Sequence, residues 1–235
     1  MSRRIVGILG GMGPEATILL QQRVLAAVQA GDDSDHLPLL IDMNPQVPSR
    51  IAHLIEQTGE DPGPTLAGMA KRLESAGATA LGMPCNTAHH YAGAITSAVS
   101  IPFLNMVDLS VTQAALHLQR GDSIGLLASP AVQSAGVFNA AMARAGLRAV
   151  WPDDEARMLK AIREIKTQGP TPQARQILLD AAHELTEKGA ALLFVACSEF
   201  SLFARDLPDH LPVIDTIDIL AAAIHKHTLD DEVIP

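Results

Sequence analysis

Apolar and polar positions fall into blocks that read as strands and helices in turn. Arg4 to Leu9 is a β-branched-rich run closed by Gly10-Gly11, the pattern of a buried strand ending in a turn. A helix is predicted from Pro14 to Ala30, with proline at its first position and Gly31 beyond its end. Leu37 to Met43 reads as a strand, Thr65 to Ala76 as a helix stopped by Gly77, and Ala78 to Met83 as a strand. Asn86 to Ala98 follows as a helix and Ile101 to Val107 as a strand. The pattern then restarts. Gly125-Leu126-Leu127-Ala128-Ser129-Pro130 parallels Gly7-Ile8-Leu9-Gly10-Gly11-Met12, with a helix to Ala145 after it. Leu147 to Val150 is a short strand, and Asp153 to Thr167 and Gln173 to Lys188 are helices. Ala191 to Ala196 is a strand, and a last helix runs from Thr216 to His227 before a polar tail.

The restart is a duplication. Gly77 to Thr87 aligns with Gly189 to Glu199, and Ile101 to Asp108 with Leu211 to Asp218, so matching points lie about 110 to 118 residues apart. Solenoid units repeat every ~20–50 residues, so this period marks a doubled domain. Strand–helix alternation predicts an α/β fold of two pseudo-symmetric Rossmann-like lobes with mostly parallel sheets. The active site is expected in the cleft between them, because ligands of such sheets lie beyond the carboxyl ends of the strands. The expected division is residues 1–105 plus 212–235 for the lobe carrying Cys85, and residues 106–211 for the lobe carrying Cys197.

Composition narrows the partners. The chain has 235 residues, 48% of them hydrophobic, enough for one large or two small cores. Mean hydropathy is +0.19, yet no apolar run reaches the ~18 residues of a membrane span. Met1-Ser2-Arg3-Arg4-Ile5 leads into a short apolar run, unlike a signal peptide, and a cytoplasmic protein is expected. The net charge of −9 and scattered basic residues argue against nucleic acid, and 3% aromatic content argues against a base-stacking platform. No membrane partner is expected.

The two cysteines carry the candidate chemistry. Cys85 and Cys197 occupy matching places, each closing an apolar strand and followed by two polar residues, Asn86-Thr87 and Ser198-Glu199. At helix N-termini the partial positive charge would favour thiolate. Two structural core cysteines are the plainer alternative, but a core thiol needs no matched polar followers. Two thiols presented to one substrate are what proton exchange at a single carbon would need.

These residues bring a resemblance with them. Gly7-Ile-Leu-Gly-Gly-Met-Gly-Pro-Glu-Ala-Thr17, Asn44-Pro-Gln-Val-Pro-Ser-Arg50, Met83-Pro-Cys-Asn-Thr-Ala-His-His90 and Ala196-Cys-Ser-Glu-Phe200 resemble the aspartate racemases of the cofactor-independent aspartate/glutamate/hydantoin racemase superfamily. The likeness spans nearly the whole chain. It implies an isomerase: an amino-acid racemase that works without pyridoxal phosphate or any other cofactor, on aspartate or a related amino acid, as a homodimer. Cys85 and Cys197 would be the acid–base pair, with Glu199 handling the Cys197 proton. Backbone N–H groups at Gly11, Met12 and Gly13, at Asn86-Thr87 and at Ser198-Glu199 would face the substrate carboxylate. Arg50 matches the family arginine that holds the distal carboxylate, and Lys166 matches a lysine of similar role. The family's Ala-Thr-x-Gly-Thr after the fifth strand is here Ala128-Ser129-Pro130-Ala131-Val132. That change places Ser129 in the substrate-binding shell and leaves the substrate side chain open.

Four other readings compete. Gly11-x-Gly13-x-x-Ala16 followed by Asp42 satisfies a dinucleotide fingerprint, but leaves the paired cysteines unexplained. Cys85 and His89 have the i, i+4 spacing of a metal pair but lack further ligands at suitable spacing, so no metal is expected. A maleate-isomerase-like dicarboxylate isomerase, or a catalytically inactive amino-acid-binding protein, remains as an alternative within the same fold.

Overall fold

The structure, a computed structural model, describes residues 3–207 and 211–229; the end of the expected polar tail, from residue 230, lies outside them. In chain order the elements are β1 (Val6–Gly10), α1 (Pro14–Ala26), β2 (Leu39–Met43), α2 (Arg50–Leu54), α3 (Gly63–Ser75), β3 (Ala80–Gly82), α4 (Ala92–Thr96) and β4 (Phe103–Leu104). There follow α5 (Met106–Ala115), β5 (Ser123–Ala128), α6 (Pro130–Ser134), α7 (Asn139–Ala145), β6 (Arg148–Val150), α8 (Glu155–Gln168) and α9 (Pro172–Glu187). The last are β7 (Leu192–Ala196), β8 (Val213–Asp215) and α10 (Thr216–Leu229).

Two four-stranded sheets result, in the orders β2-β1-β3-β4 and β6-β5-β7-β8. All pairings are parallel, and the second sheet repeats the first strand for strand. The interior strands β1, β5 and β7 are buried at every residue. That is why they read as unbroken apolar runs: helices cover both faces of a parallel sheet. The edge strand β2 is only partly buried.

The chain divides into two compact units, Met1–Met106 with Ile217–Pro235, and Val107–Thr216. The expected boundary at 212 differs from this, because β8 pairs with β7 through Leu193–Val213 to Val195–Asp215 and so belongs to the second sheet. The units exchange helices. α5 leaves the first sheet after β4, yet its Val107, Val111 and Ala114 pack with Ile124, Leu126 and Phe194 of the second. α10 leaves the second sheet after β8 but returns to the first unit. There Arg23 pairs with Asp218 at 2.9 Å, and Leu220 lies close enough to Gly82 to meet any Cβ placed there, at 3.3 Å.

Three expectations change. The strand expected over Ile101–Val107 is two residues long, and α5 takes over at Met106. The signal for α5 was present in Val107, Val111 and Ala114, which recur at helical spacing. The long helix expected from Asn86 is a 3-10 segment, Thr87–Tyr91, then the short α4. α1 ends at Ala26 rather than Ala30. Beyond it the N–H groups of Gly31 and Asp32 turn to the Asp35 carboxylate, at 2.8 and 2.9 Å, and form a separate capped turn. No helix among the described residues is long and apolar enough to cross a membrane.

Candidate active site

In the first unit the candidate residues gather beyond the carboxyl ends of β1, β2 and β3. Cys85 is a free thiol, buried in one apolar cluster with Met12, Val47 and Tyr91. Two residues, Met83 and Pro84, separate it from the end of β3, and a tight turn closes the gap, with the Cys85 N–H donating to Met83 O at 2.9 Å. Asn86 is buried and in helical conformation. Thr87 opens the 3-10 segment.

The glycine turn is built for its own chain. Gly11 has φ +91°, and a Cβ there would sit 2.3 Å from the Asn44 backbone, so only glycine fits. The Gly11 N–H donates to Thr17 Oγ1 at 2.9 Å. Of the three N–H groups of this turn expected to face a carboxylate, this one is therefore engaged internally. The dinucleotide reading loses its acidic partner too. Asp42 Oδ2 accepts from Arg72 Nε at 3.0 Å and Nη2 at 2.7 Å.

Arg50 is the first residue of α2. Its Nη1 donates to the carbonyls of Val47 at 3.3 Å and Pro48 at 3.0 Å. Among the described residues no carboxylate pairs with it, and its buried Nε has no hydrogen-bond partner. Tyr91, the single tyrosine of the chain, was not singled out by its sequence context. Its hydroxyl is buried without a hydrogen-bond partner among the described residues. Burial pushes the phenol up to about 12, helped by the Asp61 charge and opposed by Arg50. Its place six residues after Cys85 was the available clue.

In the second unit Cys197 follows β7 directly and is also free and buried. Its Sγ donates to Glu199 Oε2 at 3.0 Å, and Ser198 Oγ donates to the same oxygen at 3.2 Å. Lys166 Nζ lies 3.3 Å from the other oxygen, Oε1. Lysine, carboxylate and thiol thus form one chain. Burial pushes the Cys197 thiol well above its usual range, and the neighbouring Glu199 charge pushes it further, against an opposing effect of Lys166. The thiolate expected from a helix dipole is therefore not what this thiol favours at rest. The segment after it is the short 3-10 helix Phe200–Asp206, whose dipole is outweighed by desolvation and a carboxylate. Ser129 is buried and its Oγ accepts from the Ala131 N–H at 3.2 Å, capping α6.

Cys85 and His89 do not form a metal pair. Both imidazole nitrogens of His89 engage backbone groups, Nδ1 with Cys85 O at 2.8 Å and Nε2 with Met106 N at 3.1 Å.

Known proteins resemble this chain in sequence and fold. A family model described as Asp/Glu/hydantoin racemase matches residues 9–224. The broad-specificity amino-acid racemase RacX of Bacillus subtilis is 24% identical over 221 residues, spanning 92% of this chain and 95% of the relative. A solved aspartate racemase from Picrophilus torridus superposes with a TM-score of 0.85 at 30% identity, covering 96% of this chain and 94% of the other. An aspartate racemase homologue from Pyrococcus horikoshii shares the fold, with a TM-score of 0.74 at 18% identity over 97% of this chain and 100% of the other.

Proposed function

The chain belongs to the Asp/Glu/hydantoin racemase family, and from that premise we propose that it interconverts L- and D-aspartate, or a related amino acid, by proton transfer between two thiols. The observation that carries this reading is the recurrence of one free, buried cysteine just past the third strand of each of two sheets with the same order. Racemisation requires a base on one face of the α-carbon and an acid on the other. One thiol serves each face, and the roles swap with the enantiomer. The reading requires both sulfurs to reach the same carbon.

Glu199 is assigned the handling of the Cys197 proton. Its Oε2 already accepts from Sγ, so proton loss from the thiol has a built-in acceptor. Lys166 Nζ contacts the other oxygen of that carboxylate at 3.3 Å. This differs from the family role of holding the substrate's distal carboxylate, which the reading gives to Arg50 alone. A guanidinium with a buried Nε and no carboxylate partner among the described residues suits an incoming carboxylate, which it can grip with two donors. Carbanion stabilisation falls to N–H groups near Met12-Gly13, Asn86-Thr87 and Ser198-Glu199. No step calls on pyridoxal phosphate.

The test is proton NMR of L- and D-amino acids in D₂O with the protein. Loss of the α-proton signal of aspartate, with growth of the opposite enantiomer, is expected. If no amino acid exchanges its α-proton, the reading fails. If neutral amino acids exchange best, the aspartate assignment is replaced by the broad specificity named for the Bacillus relative.

A further inference from the structure

The geometry points to His89 as a positioning residue for Cys85, locked as the neutral Nδ1–H tautomer; this rests on the reading of Cys85 as an acid–base group. His89 is buried, 6% exposed. Nδ1 lies 2.8 Å from Cys85 O. A carbonyl only accepts, so Nδ1 carries the proton. Nε2 lies 3.1 Å from the Met106 nitrogen. A backbone N–H only donates, so Nε2 offers its lone pair. Only one uncharged tautomer satisfies both. The ring is held against Phe103, with centroids 5.4 Å apart.

The second unit shows what this bond replaces. There the position matching His89 is Ser201. Cys197 O accepts from the backbone N–H groups of Phe200 at 2.9 Å and Ser201 at 3.2 Å. The Ser201 hydroxyl donates to Asp215 Oδ1 at 2.9 Å, on the residue just before α10. In the first unit the His89 N–H turns instead to Asn86 O at 3.0 Å. The Cys85 carbonyl is taken by the imidazole, whose far side reaches the first residue of α5. One side chain thus does what a backbone N–H and a hydroxyl share in the other unit. Both arrangements tie the cysteine carbonyl to the start of the helix that leaves that sheet.

The consequence is directional. The peptide after Cys85 is planar. Holding its oxygen fixes the peptide plane, and with it the Cα–Cβ direction of Cys85 and the line of the Asn86 N–H on the opposite edge. His89 therefore aims the thiol without touching substrate.

The experiment compares wild type, His89→Ala and His89→Asn. It uses α-proton exchange of aspartate and the alkylation rate of each cysteine by iodoacetamide, resolved by mass spectrometry. His89→Ala is expected to lower kcat on the order of 10²-fold, the size of effect that follows a misplacement of about 1 Å, with KM little changed. Its Cys85 alkylation rate should shift several-fold while that of Cys197 stays constant. His89→Asn, whose amide can still donate to the carbonyl, should recover part of the loss. Equal changes at both thiols, or unchanged rates at both, would overturn the proposal. Nitrogen NMR of the wild-type protein should show His89 with Nδ1 protonated and Nε2 bare; the opposite tautomer also overturns it. If no amino acid exchanges its α-proton, the racemase reading falls, while alkylation and NMR still decide the role of His89.

Discussion

The two cysteine sites share a backbone plan and differ in charge. Each cysteine follows the third strand of its sheet, and each carbonyl is tied down within four residues. Yet Cys85 is followed by an amide and a hydroxyl, whereas Cys197 donates to a carboxylate that a lysine also contacts. Duplication kept the placement of the thiols, which strand order dictates. It let the surroundings diverge: at Cys197 burial, and after it the carboxylate two residues away, pushes the thiol up. A reaction that runs in both directions needs an acid and a base at matching places, but not the same neighbours around each. Cys197, with its thiol pushed up, is the site suited to resting protonated.

The hardest test of this comparison is to remove each thiol in turn. Cys85→Ala and Cys197→Ala should each lose at least about 10²–10⁴-fold in racemisation, the usual contribution of a general acid or base. Each variant should retain exchange of the α-proton of one enantiomer only, and the two should retain opposite ones. Full racemisation by either variant, followed by circular dichroism of the product, would end the two-thiol account.

Glu199→Gln should make the second site resemble the first. It removes the negative charge and the charged acceptor that raise the Cys197 thiol, so alkylation of Cys197 at neutral pH should quicken. Turnover should fall by about 10²-fold, because the thiol loses its proton acceptor. Lys166→Met should act the opposite way on alkylation, slowing it, since Lys166 lowers the thiol's proton affinity.

Arg50 separates the two basic residues. Arg50→Ala should raise KM for aspartate by about tenfold or more, as expected from one lost charge-assisted contact, with little effect on the alkylation of either cysteine. If Lys166→Met instead raises KM and leaves Cys197 labelling unchanged, the roles of Arg50 and Lys166 have been divided wrongly.

The smallest effect concerns stability against pH. A thiol whose folded value lies above its unfolded value contributes stability that is fully present below the unfolded value, about 8.5, and lost as pH rises through the folded value. Wild type should therefore lose denaturant resistance progressively above about pH 8.5, and Cys197→Ala should lack that part of the slope. A matching change in Cys85→Ala alone would place the raised thiol in the wrong unit.

Much of this was legible in the chain before any coordinates. Buried parallel strands leave unbroken apolar runs, glycines mark the turns, and the duplicated Cys-polar-polar motif survives because strand ends present residues to the same side in both halves. Cys85 and Cys197 stood out by their matched places, and Glu199 and Arg50 through the family resemblance. Local pattern could not say which sheet or unit would bury a helix. α5 and α10 follow one sheet and pack on the other unit because their apolar faces are satisfied by distant residues, Phe194 for one and the Gly82 strand for the other. Nor could it say how a polar group would be used. The Gly11 N–H goes to Thr17, the Ser129 hydroxyl to a helix start, and Lys166 to Glu199. His89 offered only the spacing of a metal pair with Cys85, and the fold turns both its nitrogens to backbone. Hydrogen-bond partners, burial and hence proton affinity are properties of the folded neighbourhood. The sequence determined which groups were available and near which strand ends, and only tertiary structure decided what each would face.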